Sequence, residues 1–181
     1  SDREARSKLN TVSEFVVIAH AGGEVGSKRY TDALEGIERS REKGCRFIEL
    51  DFNWTADGKL VVIHDWANFF DEYLSAIPTE EEFLTRRRQD GLTQMSFSQL
   101  ELWLKRNPDF SLVTDVKERN IEALRLFANS DVREQIIPQV YRFSEYQVAI
   151  KLNFNRVIFT NYIMGYSDSA LVRFAARARP F

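Results

Sequence analysis

Several residue types that often mark a function are scarce in this sequence. The chain has one cysteine in 181 residues, Cys45, so it cannot form an internal disulfide or build a zinc site from cysteines. No apolar run approaches the ~18 residues of a membrane span. Lysine and arginine total 25 against 27 aspartate and glutamate residues, which leaves no net attraction for nucleic acid or anionic lipid. We therefore expect neither a transmembrane segment nor a nucleic-acid partner, and the composition indicates no compartment.

Residues that break or separate domains are also few. The chain holds 8 glycines and 4 prolines, and no low-complexity linker divides it. A length of 181 residues is typical of one domain, because most domains contain ~100–200 residues. We predict an N-terminal extension over residues 1–13 and one domain over 14–181, with an insertion at about 66–96.

What the sequence does contain is an alternation of short apolar segments with amphipathic ones. Thr31 or Asp32 is expected to cap the first helix, and Gly44 to end it. Such alternation is typical of a parallel sheet covered by helices, either a doubly wound sheet or a barrel. The predicted strands cover residues 14–20, 46–54, 60–65, 110–117, 135–141 and 156–162, and the predicted helices cover 31–44, 97–107, 121–130, 144–153 and 167–178.

The turn after the first strand favours the barrel. A nucleotide-binding doubly wound sheet normally has G-x-G-x-x-G at this point, and the segment "HAGGEV" does not match it. A complete (β/α)₈ barrel takes ~250 residues, whereas this chain has room for about five to six βα units. We therefore predict an α/β fold of the TIM-barrel type that is incomplete at its C-terminal end. Its open edges would favour self-association.

The chain has only two histidines, His20 and His64, and both follow apolar strands, "VVIA" and "LVVI". Imidazole gives or accepts a proton near neutral pH, so two of them can be the acid and the base of one reaction. A single histidine at a strand end is more often structural, but a pair that exhausts the residue type favours catalysis.

Acidic residues lie on the strands between and after the histidines. The period of two places Glu49 and Asp51 on one face of "FIELDF", and Asp115 and Lys117 share a face of a later strand. The three carboxylates either pair with lysine or arginine, or bind a hard cation such as Mg²⁺ or Ca²⁺ that prefers oxygen ligands. If they bind a cation, a substrate phosphate could complete the ligand shell, and Lys117 would neutralise the remaining charge of that phosphate. Gly22 would let the backbone approach that anion closely.

Four segments resemble the glycerophosphodiester phosphodiesterase family, within a wider set of phosphodiesterase barrels that includes sphingomyelinase D-like enzymes. The most specific part is E-x-D, then T-x-D-G, an apolar strand and H-D, after a first strand-end histidine. The resemblance runs from about residue 14 to 118 and is weaker through 181. The segments are "IAHAGG", "YTDALEGI", "FIELDFNWTADGKLVVIHD" and "TDVKE".

The resemblance implies a TIM barrel in which two histidines act as general acid and base and three acids hold Mg²⁺ or Ca²⁺. These roles transfer to His20 and His64, and to Glu49, Asp51 and Asp115. Lys117 matches a lysine that contacts phosphate.

This sequence departs from the family pattern at three places. Ala21 stands where most members have an arginine that contacts phosphate; the alternatives in this chain are Lys28, Arg29 or the run 86–88, although such a run is usually a solvated face. Asp115 stands where the phosphodiesterases commonly have a glutamate, and in this it resembles the sphingomyelinase D-like branch, so the choice of metal stays open. The segment "RYTDALEG" replaces P-E-N-T.

Four aromatic residues of the insertion are expected to pack beneath their own loop rather than to contact substrate: Trp66, Phe69, Phe70 and Tyr73. Four residues near the ends of later strands could reach the mouth of the barrel, but no spacing singles them out: Tyr141, Arg142, Asn161 and Tyr162.

These features favour metal-dependent hydrolysis of a glycerophosphodiester, or a related diester of a small alcohol or lipid headgroup, to an alcohol and a phosphomonoester. One rival is attack by a substrate hydroxyl, which gives a cyclic phosphate. Another is a non-catalytic module that binds phosphorylated headgroups. The second rival leaves the conjunction of two histidines and three acids unexplained.

Overall fold

The computed structural model describes residues 17–67, 69–70 and 75–160, together with the backbone of 173–174. Most of these residues build one curved sheet with helices on its outer side, and the sheet forms part of a barrel. The strands are β1 (Ile18–Ala19), β2 (Phe47–Trp54), β3 (Leu60–Val62), β4 (Ser111–Val116), β5 (Ile136–Val140), β6 (Ile158–Phe159) and β7 (Arg173–Phe174). The helices are α1 (Leu34–Glu42), α2 (Glu80–Thr85), α3 (Phe97–Arg106), α4 (Asn120–Ala128) and α5 (Phe143–Lys151), with 3₁₀ turns at His20–Gly22 and Arg133–Gln135.

The sheet has the order β1-β2-β4-β5-β6-β7. Its first four neighbouring pairs, from β1–β2 to β5–β6, are parallel, as the alternation of strands and helices predicts. Strand β3 returns from a tight turn and pairs antiparallel with β2. The prediction of an α/β barrel fold that is incomplete within the chain is confirmed.

The two faces of the sheet are both buried but carry different residues. Alternate residues of β2 and β4 face the helices, and there they form one continuous apolar core that includes Ile48, Leu50 and Leu112. The opposite, inner face carries a small apolar cluster around Val113, and the acidic residues lie on this face. The period of two along each strand therefore separates a stabilising face from a polar one.

The start of α1 differs from the prediction. Its N-cap is Ala33, with no side chain capping the helix, and not Thr31 or Asp32. Both side chains bond elsewhere: Thr31 Oγ1 donates to Gly23 O at 3.3 Å, and Asp32 Oδ1 accepts the backbone N–H of Asp51 at 3.2 Å. The C-terminal stop is confirmed, because Gly44 follows the helix with a φ of +85°.

The C-terminal part of the chain contains a second correction. The predicted helix 167–178 is wrong at Arg173–Phe174, which form β7 and pair antiparallel with β6. Main-chain pairing along the edge of β6 outweighs the local helical pattern at these two residues. The rest of that helix, the predicted strand residues 14–16 and 161–162, and the extension 1–13 lie outside the described residues.

The insertion contains α2, which starts at a capping box made by Thr79 and Glu82. Phe83 of this helix packs with Trp66, Phe69 and Phe70 against β3, so these aromatic residues pack beneath the loop as predicted. Tyr73 lies outside the described residues. In the described part of the chain, no helix has the length and apolar character needed to cross a membrane.

Candidate active site

The register of the parallel strands brings three carboxylates together. Asp51 of β2 lies directly beside Asp115 of β4, and Glu49 lies two residues earlier on the same face of β2. One oxygen from each carboxylate lies within 4.8 Å of the others, although all three side chains are buried. The predicted convergence of these acids is therefore present in the structure.

Burial and the charge of Asp51 raise the pKa of two of these acids, Glu49 and Asp115. Burial is the largest cause for Glu49, where the charge of Asp51 adds to it and the Ala21 N–H and His20 oppose it. Burial also raises the pKa of Asp115, with the charge of Asp51 adding and the Tyr141 hydroxyl opposing. Carboxylates held together in this way are under electrostatic tension that a cation would relieve.

Lys117 supplies one positive charge to this cluster. Its Nζ lies 3.6 Å from Asp51 Oδ1 and 3.6 Å from Asp115 Oδ2. Burial lowers the pKa of Lys117, but the two acids outweigh burial and the net shift is upward. Within the described residues, the ion pairs to the cluster come from Lys117 and His20, so two cations at most face three carboxylates. The remaining charge and the all-oxygen donor set fit a hard divalent cation such as Mg²⁺ or Ca²⁺.

His20 lies at the end of β1, beside this cluster. Its Nδ1 contacts Glu49 Oε2, and its ring meets Tyr30 edge-on at 5.1 Å between centroids. The Ala21 N–H donates to the same Glu49 oxygen at 2.8 Å, and Ala21 has a left-handed φ of +46°. The strained turn and the shared carboxylate together orient the imidazole.

Gly22 is the last residue of this turn and packs against the core. A Cβ at Gly22 would meet Leu50 Cδ2 at 3.2 Å, and its φ of +71° favours glycine. At Gly23 a Cβ would meet Ser40 Oγ at 2.3 Å, so the two glycines allow α1 to approach the turn closely. Close packing explains both glycines, and the phosphate-binding role of Gly22 stays a prediction.

The β2–β3 hairpin places His64 at the same end of the sheet as the acidic cluster. Because β3 runs back along β2, residue 63 returns to the level of Asp51, and the Ile63 N–H donates to Asp51 O at 2.9 Å. Asn53 Nδ2 donates to His64 O at 2.9 Å, and His64 Nδ1 lies 2.8 Å from Asp65 Oδ2. Each histidine therefore has Nδ1 bound to a carboxylate and Nε2 left for another partner.

A cavity of about 510 Å³ joins these groups. His20, His64 and Asp51 all line it, so the two histidines and one member of the acidic cluster, Asp51, open into one space. The remaining lining residues come from the Tyr30 loop, the His64 loop and the insertion: Tyr30, Thr31, Asp65, Ala67, Phe69, Arg88, Gln89 and Asp90. Such a space has the volume of a small-molecule site.

Arg88 differs from the expectation of a solvated face for the run 86–88. Its side chain is 3% exposed and forms two hydrogen bonds to Asp90, at 2.9 and 2.7 Å. The same guanidinium donates to Thr31 O at 2.6 Å and lies 4.5 Å from the centre of the Phe69 ring. Arg88 thus fastens the insertion to the loop that precedes α1, with its charge already paired.

Sequence reasoning did not select Tyr141 as a site residue, although it placed Tyr141 near a strand end. In the structure the Tyr141 hydroxyl donates to Asp115 Oδ1 and accepts from Gln139 Nε2, the latter at 2.9 Å. Polar residues at i and i+2 on an otherwise apolar strand were the available signal. Asn161 and Tyr162 lie outside the described residues.

Comparison with known proteins relates this geometry to one family. The sequence profile of the glycerophosphoryl diester phosphodiesterase family matches residues 26–155, more than two-thirds of the chain. The matched range contains His64 and all three acids, whereas His20 precedes it. No curated protein shows a significant match to this chain.

Solved structures share the fold at low sequence identity. A protein of Galdieria sulphuraria, named provisionally as a glycerophosphodiester phosphodiesterase, is 18% identical with a TM-score of 0.67, over 85% of this chain and 68% of that one. A glycerophosphodiester phosphodiesterase of Parabacteroides distasonis is 23% identical with a TM-score of 0.60, over 75% and 60%. One of Thermotoga maritima is 21% identical with a TM-score of 0.54, over 76% and 59%.

The present chain thus spans about three-fifths to two-thirds of the length of these proteins. The matched profile names a family of phosphodiesterases, so the enzyme class predicted from the motifs is confirmed for that family. This chain belongs to the glycerophosphoryl diester phosphodiesterase family.

Proposed function

We propose that this chain carries the active site of a metal-dependent phosphodiesterase that hydrolyses glycerophosphodiesters to an alcohol and a phosphomonoester. The observation that carries the proposal is the shared cavity. His20 and His64 line the same space as Asp51, and Asp51 belongs to a buried acidic cluster suited to a divalent cation. Phosphoryl transfer needs these two elements together, because charge must be stabilised on the phosphate while protons move at two oxygens.

Glu49, Asp51 and Asp115 would hold Mg²⁺ or Ca²⁺. When bound, the cation supplies positive charge that polarises the phosphoryl oxygens. Lys117 lies beside two of these acids, where its ammonium group can pair with a phosphate oxygen.

The histidines would move the protons. With Nδ1 bound to Glu49 or Asp65, each imidazole keeps Nε2 available for water or substrate. One Nε2 accepts the proton of the attacking water, and the other donates a proton to the leaving alcohol oxygen. The partners of the two rings differ, since Glu49 is buried and Asp65 is exposed.

The test is turnover of a glycerophosphodiester by wild type, His20→Ala and His64→Ala, with Mg²⁺ or Ca²⁺ present and with EDTA. Each variant should lose about 10²–10⁴-fold in kcat, the usual contribution of a general acid or base. The His64 side chain is 56% exposed, so the thermal unfolding of His64→Ala should match wild type. Unchanged rates in both variants would exclude the two-histidine mechanism.

Phosphorus NMR of the products separates hydrolysis from its rivals. A phosphomonoester supports the proposal, whereas a cyclic phosphate indicates attack by a substrate hydroxyl. Headgroup binding by calorimetry without turnover, with metal present, would indicate a binding module instead. We propose as substrate either a small glycerophosphodiester or a diester of a lipid headgroup, and the same assay distinguishes the two.

Self-association through the open sheet edges stays a prediction. An edge strand with unpaired N–H and C=O groups can pair with another chain. Sedimentation at several protein concentrations tests it, and a monomer at all of them would contradict it.

A further inference from the structure

The third carboxylate of the cluster has its two oxygens in different environments. Asp115 Oδ1 accepts the hydroxyl proton of Tyr141, whereas Asp115 Oδ2 lies 3.6 Å from Lys117 Nζ. A carboxylate oxygen that already accepts a buried hydrogen bond is a poor second ligand for a cation. Asp115 therefore offers one oxygen, Oδ2, to the space between the acids.

Tyr141 cannot readily turn its proton elsewhere. Gln139 Nε2 donates to the Tyr141 oxygen at 2.9 Å, so the phenol proton points towards Asp115. The backbone N–H of Tyr141 donates to the buried Glu145 Oε2 at 2.8 Å, which fixes the main chain at the end of β5.

Glu49 is restricted in the same way from the other side of the cluster. Its Oε2 accepts the Ala21 N–H at 2.8 Å and contacts His20 Nδ1, which leaves Oε1. Two of the three acids thus have one oxygen bound within the protein. At most four carboxylate oxygens, two of them from Asp51, remain for an ion.

The number of available oxygens distinguishes the two candidate ions. Ca²⁺ takes six to eight oxygen ligands and commonly binds carboxylates through both oxygens. Mg²⁺ takes six in a near-ideal octahedron, through single carboxylate oxygens, and keeps several waters. Carboxylates limited to one oxygen suit the smaller ion.

We propose that Tyr141, oriented by Gln139, is a positioning residue that holds Asp115 as a one-oxygen ligand and makes the site prefer Mg²⁺ to Ca²⁺. The inference rests on the metal site of the proposed function. It concerns the choice of ion rather than the reaction.

The experiment is calorimetric titration of the EDTA-treated and dialysed protein with MgCl₂ and with CaCl₂, for wild type and Tyr141→Phe. Wild type should bind Mg²⁺ more tightly than Ca²⁺. Tyr141→Phe keeps the ring and removes the hydroxyl, so Asp115 Oδ1 becomes free. We expect Mg²⁺ affinity to fall about 10-fold, as when a hydrogen-bond partner of a metal ligand is lost, and the Mg²⁺/Ca²⁺ affinity ratio to fall with it.

Two further variants make the result specific. Gln139→Leu removes the donor that orients the phenol and should shift the ratio in the same direction by a smaller factor, which keeps the test valid if Tyr141→Phe folds poorly. Tyr146→Phe is the matched control, because Tyr146 lies on α5 between the Phe143 and Phe159 rings. Its affinity ratio should equal that of wild type.

The inference and the proposed function fail by different results. Binding of both ions with an unchanged ratio in Tyr141→Phe, or tighter binding of Ca²⁺ by wild type, overturns the inference alone. Diester turnover by wild type with either ion would still support the proposed function. Absence of binding by either ion overturns the metal site, and with it the role of Tyr141.

Discussion

The two faces of the central strands are buried almost equally and have opposite effects on the stability of the fold. On β2, Leu50 is 0% exposed and Asp51 is 4% exposed, although they are adjacent in sequence. Burial of Leu50 in the helix-side core lowers the free energy of the fold, by roughly 25 cal/mol for each Å² of apolar surface removed from water. Burial of Asp51 beside Glu49 and Asp115 opposes folding, because three carboxylates lose hydration and repel each other.

This comparison shows that depth of burial does not by itself identify what stabilises a protein. The helix-side core is continuous across β2, β4 and β5, so its stabilising free energy can offset the unfavourable burial of charge on the inner face. The inner face can therefore hold acidic residues and histidines that bind a cation and transfer protons without stabilising the fold. Substitutions on the two faces should therefore separate activity from stability.

The largest expected effect is on the inner face, in Asp51→Asn. Loss of a cation ligand removes several kcal/mol of charge stabilisation, so turnover should fall at least about 10³-fold. Stability in EDTA should be unchanged or higher than in wild type, because one charge leaves the cluster. Turnover assays and thermal unfolding of the same preparations check this. An inactive variant that is also strongly destabilised would break the distinction between the faces.

The matching change on the helix side is Leu112→Ala. Leu112 pairs with Ile48 across the parallel strands and is 0% exposed, so truncation leaves a cavity in the core. We expect a loss of about 2–5 kcal/mol in the free energy of unfolding, measured by urea denaturation. Turnover per folded molecule should stay near that of wild type at a temperature where both proteins are folded. A fall in turnover as large as that of Asp51→Asn would contradict the comparison.

The smallest effect concerns the pH dependence of stability without metal. The pKa of Asp115 is raised, so the folded state binds more protons than the unfolded state between the ordinary value of about 3.8 and the raised one. The free energy of unfolding in EDTA should therefore rise as the pH falls through this range. The contribution of Asp115 should be lost as the pH rises through its pKa in the folded protein.

Asp115→Asn supplies the control for that measurement. The amide keeps an oxygen that can accept from Tyr141 and cannot titrate, so the stability of this variant should depend less on pH than that of wild type as the pH rises from about 3.8 through the raised pKa of Asp115. The histidines are present in both proteins, and the difference between the two curves isolates Asp115. A variant with an equal or steeper rise on acidification would contradict the pKa shift.

Much of the fold could be predicted because local patterns and tertiary contacts agree. The apolar segment before Glu49 and Asp51 and the tight turn that leads back to His64 both specify strands by their own residues. The convergence of Glu49, Asp51 and Asp115 was also predictable, since strands of one parallel sheet present their carboxyl ends at the same edge.

Other features depended on partners distant in sequence. Arg88 lies in a run of arginines that looks solvated, yet its guanidinium is buried against Phe69 and the distant carbonyl group of Thr31. The side chain of Asp32 was predicted to cap a helix, but the N–H of Asp51 binds it instead. No local pattern distinguishes these outcomes, because each is a competition between a nearby and a remote hydrogen-bond partner.

The sequence by itself determined where strands β1 to β6 lie, which strand face carries the acids, and which residue types would meet at the mouth. Those properties follow from the period of two and from the exclusion of water by apolar segments, which act over a few residues. Only the tertiary structure decided which oxygens of Glu49 and Asp115 are occupied, which direction the Tyr141 proton takes and where Arg88 lies. Hydrogen bonds depend on distance and angle between groups far apart in the chain, and these distances exist only once the sheet has curved and the loops have packed.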